Sequence, residues 1–136
     1  MVELLIGKKG TGKTKTLIEK VNNAAAVANG NVVFISSNTS RNMYDIKSCV
    51  RMADTSEFDI KTYSEFFGFI SGIVSGNFDI TNIFVDSIFK IVDNTLVGFE
   101  EFLDRIEKMG AKFDISFVLT ISIDQADAPD YLKKYI

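Results

Sequence analysis

Residues 7 to 14 read Gly7-Lys8-Lys9-Gly10-Thr11-Gly12-Lys13-Thr14, three glycines and three lysines within one short run. Glycine weakens strands and helices alike, so its concentration here implies that bare backbone must come close to another group. The spacing is G-x-x-x-x-G-K-[ST] in full. Without side chains in the way, successive backbone N–H groups can turn inward on an anion. A helix opening directly afterwards would add its free N–H groups and the positive end of its dipole. The chemistry this arrangement suits is the cradling of a phosphate chain. Gly7, Lys8, Lys9, Gly10, Thr11 and Gly12 would supply the loop, Lys13 would reach the β- and γ-phosphates, and the Thr14 hydroxyl would meet Mg²⁺.

The flanking sequence supplies the frame such a loop needs. "VELLI" at 2–6 is a short apolar run stopped by Gly7, and reads as a buried strand. A helix follows from about Lys13 to Ala28, with Leu17, Val21, Ala24, Ala25 and Ala28 on one face and Gly30 as its stop. With both elements around the loop, the chain resembles the P-loop NTPase superfamily, and the resemblance covers nearly its whole length as a minimal core. It implies bound ATP and Mg²⁺. It also implies a second acid at the end of another strand to hold the metal, which "NIFVDS" at 82–87 offers as Asp86. In the RecA-like and ABC-like branch a Glu often follows that acid and acts as base, but here Ser87 stands there. Some RecA-like members carry the base at the end of a neighbouring strand, where this chain has Asp54 and Glu57. Lys13 with Asp54 or Glu57 are therefore the catalytic candidates. Gly7 to Thr14 are the nucleotide-binding residues, and Thr14 and Asp86 the metal ligands.

The remaining elements alternate. Strands are expected at 31–36, 48–53, 80–87 and 114–122, and a short helix after the polar "SNTSRNMYDI". "DTSEF" reads as a loop. A helix over 62–76 has Thr62 as N-cap and Glu65 closing a capping box. The 94–110 segment reads as an amphipathic helix with Leu96, Phe99, Phe102, Leu103 and Ile106 on one face and Gly110 at its end. A last short helix carries Pro129 in its first turn. Five apolar strands alternating with helices imply an α/β fold, a three-layer α/β/α sandwich with a mainly parallel sheet covered on both faces. One domain over residues 1–136 is expected.

Spacing refines the resemblance. About 70 residues lie between Thr14 and Asp86 and hold at least one full strand, which favours the RecA-like branch, where another strand lies between those carrying the loop and the acid. No N-K-x-D guanine-reading motif is present. Arg41, Arg51 and Arg105 are the only arginines, too few for the Arg-rich lid of nucleotide kinases; Arg41 could touch a ligand. Thr120 and Ser122 resemble a position that senses the γ-phosphate. Gly68, Gly72 and Gly76 would allow close helix–sheet packing or a subunit interface. Phe66, Phe67, Phe69 and Phe78 read as core, and Cys49 as a buried small hydrophobe.

Composition narrows the function classes. A formal charge of −3 argues against nucleic-acid binding driven by bulk charge. The lack of His removes the commonest general base and zinc ligand. A lone Cys fits a reducing compartment. With no leader-like N-terminus or spanning segment, a cytoplasmic protein is expected. The functional expectation is an Mg-ATP-binding protein and slow ATPase, whose site a second subunit or a protein partner could complete. A non-hydrolysing nucleotide-binding switch or assembly module, or a small-molecule kinase, are the alternatives.

Overall fold

The computed structural model describes residues 1–93 and 95–136. Five strands form one sheet: β1 (Val2–Gly7), β2 (Asn31–Ser36), β3 (Arg51–Asp54), β4 (Ile80–Val85) and β5 (Ser116–Ser122). Their spatial order is β1-β5-β4-β2-β3, with every strand pair parallel. All strands therefore end on the same side, and that side carries Gly7, Ser36, Asp54, Asp86 and Ser122.

Apolar side chains line both faces of the sheet, as parallel strands buried on two sides require. On one face α1 (Lys13–Val27) sets Leu17 and Val21 against Val32, Phe34, Phe84 and Val118, joined by Ile46 and Val50 from the β2–β3 connection. On the other face α2 (Tyr63–Ser75), the single turn α3 (Ile88–Ile91) and α4 (Phe99–Phe113) pack Phe66, Ile70, Ile88, Phe99, Phe102 and Ile106 against Ile35, Val85 and Phe117. Full burial of each such side chain contributes about 1.5–3 kcal/mol, so these two clusters dominate the folding free energy. The result is a three-layer α/β/α arrangement. Among the described residues, no helix is long and apolar enough to cross a membrane.

Several boundaries differ from those the sequence suggests. The helix expected over 94–110 starts at Phe99, because Gly98 adopts φ 87° as its N-cap and Val97 points into solvent. Asn94, the first residue of that expectation, lies outside the described residues. The helix also runs past Gly110 to Phe113, with Asp114 in the left-handed conformation behind it. Gly110 is there for closeness: a Cβ on it would sit 2.6 Å from the carbonyl oxygen of Ile115. The third strand begins only at Arg51, since Val50 turns inward against the α1 face. Thr55–Glu57 and Asp130–Tyr135 are 3₁₀ turns, as is Thr39–Arg41 in the polar segment.

The capping box at Thr62 and Glu65 is present as expected. Phe66 is core and Phe67 and Phe69 pack on it, but Phe78 is exposed. Cys49 is exposed as well, because it lies in the turn outside the sheet rather than in a strand. Gly68 and Gly72 have open space where a Cβ would stand, so the glycine spacing does not serve close packing. Gly76 ends α2 as its C-cap.

Two substitutions on α4 should therefore move stability in opposite directions. Gly110→Ala forces backbone atoms apart and should cost about 1–3 kcal/mol. Asp114→Gly relieves a left-handed non-glycine residue and should gain about 0.5–1 kcal/mol. Urea unfolding of both variants checks the pair; a neutral Gly110→Ala would contradict the close approach of Ile115 O to the helix.

Candidate functional site

The loop between β1 and α1 has the conformation its glycines permit. Gly10 and Gly12 take φ 84° and 82°, a region other residues enter at a cost. Gly12 is also the N-cap of α1, which has no side-chain cap. The first turn of α1 thus keeps its N–H groups free. Among the described residues no backbone N–H from Gly12 to Lys15 donates to a protein acceptor. Lys13 folds back over the loop, its Nζ donating to the carbonyls of Gly7 at 2.9 Å and Lys8 at 2.8 Å. The Thr11 hydroxyl donates to Lys8 O at 2.7 Å and so closes the turn. Partial burial lowers the Lys13 pKa, and the negative charge of Asp86 opposes that shift.

Asp86 follows β4 directly and is 7% exposed. Its N–H donates to Ile35 O of β2, which continues the sheet by one residue. Its Oδ1 accepts from the Thr14 hydroxyl at 3.0 Å and from the Thr120 hydroxyl at 3.1 Å. Oδ2 accepts no hydrogen bond from the described residues. Thr120 in turn accepts from the Ser87 N–H at 2.7 Å. Ser87 reaches that position only by taking φ 57°, which costs a non-glycine residue about 1–2 kcal/mol. The expected metal pair, Thr14 and Asp86, is thus in direct contact across 72 positions of sequence. Hydrogen bonding to Asp86 is a role that the sensor resemblance of Thr120 did not specify, whereas Ser122 is exposed at the end of β5.

The other acids stand apart. Asp54 ends β3, two strands from β4 and four from β1, so roughly 10 Å separates it from the Asp86 strand. Its Oδ2 accepts from Thr39 N and Oγ1, both at 3.1 Å, and its Oδ1 from Ser56 N and Oγ. The Ser56 hydroxyl above all, with these other donors, holds its pKa down at about 2. Such a carboxylate caps two turns and is a weak proton acceptor. Glu57 is exposed on the following 3₁₀ turn. No group of three or more His, Cys, Asp or Glu side chains able to hold a metal converges among the described residues.

Two cavities border this end of the sheet. One, of about 540 Å³, runs along the open side of β1 beneath the loop, with Leu4, Leu5 and Ile6 as an apolar wall and Lys13, Asp124 and Gln125 at its mouth. The other, of about 200 Å³, opens between the segments that follow β2 and β4, with Arg41, Asn42, Asp86 and Lys90 in its lining. Asn42 and Lys90 carry no sequence signal of their own, beyond Lys90 falling one turn after Asp86. Compared with models of known protein families and with curated proteins, the chain matches none.

Asp54 gives a pH signature. Its folded pKa lies below the ordinary value of 3.8, so its contribution is complete above that value and fades as pH falls toward about 2. The stability gap between the wild type and Asp54→Asn should therefore be widest near pH 6 and close through this range. Denaturant melts at several pH values measure it; a gap independent of pH would mean the carboxylate is not held by its four donors.

Proposed function

We propose that the protein binds Mg-ATP at the 7–14 loop in the manner of a P-loop nucleotide-binding protein. The observation that carries this reading is the Thr14 hydroxyl on Asp86 Oδ1 beside N–H groups from Gly12 to Lys15 that meet no acceptor among the described residues. Oriented N–H groups at a glycine turn and a helix start are a natural seat for a phosphate chain. Lys13, now satisfied by two loop carbonyls, would exchange them for phosphate oxygens. A single carboxylate and a hydroxyl suffice for Mg²⁺, which usually completes its shell with water and substrate phosphates. The residues present therefore fit the group. When bound, the ion neutralises charge on the phosphates. Thr14 and Asp86 would orient it, and Thr120 would hold Asp86 in place. The order β1-β5-β4, with a strand between those carrying the loop and the acid, supports the RecA-like form of the resemblance.

The chain's own residues favour slow hydrolysis. The Ser87 hydroxyl donates to no acceptor among the described residues, and Asp54 is held as a weak acceptor by its hydrogen bonds. A general base typically contributes about 10²–10⁴-fold, so turnover by the chain alone should fall well below the ~10 s⁻¹ typical of enzymes. The same two residues favour, as the second reading, a switch that binds ATP and changes shape without cleaving it.

Calorimetric titration with Mg-ATP tests the assignment. Lys13→Ala should weaken binding by a factor of ten or more, the loss of one charge-assisted contact of about 1.4 kcal/mol or above. Asp86→Asn should leave affinity in EDTA nearly unchanged and abolish its enhancement by Mg²⁺. Equal affinities of wild type and Lys13→Ala would remove the loop from the site.

A further inference from the structure

The cavity between the segments after β2 and β4 is lined by none of the loop residues 7–14. The Thr14–Asp86 hydrogen bond stands between the two, and the cavity opens between β4 and β2, two and three strands from β1, about 10–14 Å across the sheet. A phosphate chain seated in the loop would leave this cavity empty.

Its lining is that of an anion site. Arg41 comes from the 3₁₀ turn after β2 and Lys90 from α3, and among the described residues neither forms an ion pair with an acidic side chain. Asn42, 7% exposed, is bonded through its backbone to Thr39 and Asp45. Its side-chain amide makes no hydrogen bond with the described residues. The amide atoms stay accessible at the cavity wall, so they are free to pair with a guest there. Ser36, 3% exposed, accepts from Asn38 N at 3.1 Å and keeps its own hydroxyl proton for an acceptor. Two cations, an amide and a hydroxyl offer donors to one small acceptor-rich guest. The one anion in the lining is Asp86, which would repel such a guest until a cation covers it. That last clause rests on the Mg²⁺ assignment proposed above.

We propose that this cavity is a second ligand site that takes a separate phosphate-sized oxyanion, a free phosphate or the phosphate group of a small co-substrate, across Asp86 from the nucleotide. Arg41 and Lys90 supply charge, and Asn42 and Ser36 supply directed donors. Because Asp86 forms a wall of both sites, cation binding on the loop side strengthens anion binding on the other.

The test is calorimetric titration of inorganic phosphate into the full chain, with Mg²⁺ and ADP, with Mg²⁺ alone and with EDTA, for wild type, Arg41→Ala, Asn42→Ala and Asp86→Asn. ADP affinity and a cooperative thermal melt establish that each variant is folded. The expected result is saturable phosphate binding in the wild type, weakened at least tenfold in Arg41→Ala and Asn42→Ala with ADP affinity unchanged, and stronger in Mg²⁺ than in EDTA. Asp86→Asn should bind phosphate without needing Mg²⁺. If the wild type binds no ADP but binds phosphate through Arg41 and Asn42, the nucleotide assignment fails and the cavity assignment stands. Absence of phosphate binding in a wild type that binds ADP would overturn the proposal. So would variants that lose ATP affinity but neither ADP nor phosphate affinity, since the cavity would then serve the nucleotide's own terminal phosphate.

Discussion

One carboxylate oxygen, Oδ1 of Asp86, accepts hydrogen bonds from two threonines that lie on different elements. Thr14 belongs to the first turn of α1 and Thr120 to β5, while Asp86 continues β4. The contact fixes the helix start against the middle of the sheet. A hydrogen bond to a charged group contributes about 1.5–3 kcal/mol, and burying the carboxylate without such donors would cost more than they return. The arrangement therefore holds only while all three residues keep their places. The left-handed Ser87 belongs to the same constraint, since its N–H must turn to reach Thr120. Strain stored beside a buried acid is a common mark of a working site.

The sheet makes that convergence possible. Parallel strands bring every C-terminal end to one side, and connections leaving β2 and β4 on opposite faces open a crevice there. Ligands of open α/β sheets settle in such crevices. The glycine loop at the end of β1 and the cavity between β2 and β4 share this side, with Asp86 between them. Neither would face the other if the strand order placed β4 at an edge.

Much of this frame was readable from residues alone. Apolar runs bounded by Gly and polar caps mark β1, β2, β4 and β5, whereas β3 is the short, half-buried Arg51–Asp54 and begins three residues later than its sequence pattern suggests; the Thr62–Glu65 box marks the start of α2 because its two reciprocal hydrogen bonds are local. Asp86 was legible because the resemblance to P-loop proteins implies an acid at the end of another strand, and the apolar run before Asp86 ends in one; its hydrogen bond from Thr14 is what the structure adds. Failures arose where tertiary contact overrode local pattern. Gly110 looks like a helix stop, yet it is an interior position squeezed by Ile115 O. Phe78 looks like core and stands in solvent. Asp54 looks like a free strand-end acid, but Thr39 and Ser56 enclose it. Asn42 and Lys90 are ordinary polar residues in sequence, and only the crossing of two connections gives them a common cavity.

The central claim is that the loop amides and Asp86 form a single anion-and-metal site. Amide chemical-shift mapping during an Mg-ATP titration addresses it residue by residue. The account predicts saturable shifts concentrated at Gly10, Gly12, Lys13 and Thr14, carried through the hydrogen-bond relay to Asp86 and Ser87, and reduced at the latter pair when Mg²⁺ is withdrawn. Shifts absent from the loop at millimolar nucleotide, or confined to residues remote from Asp86, would contradict it.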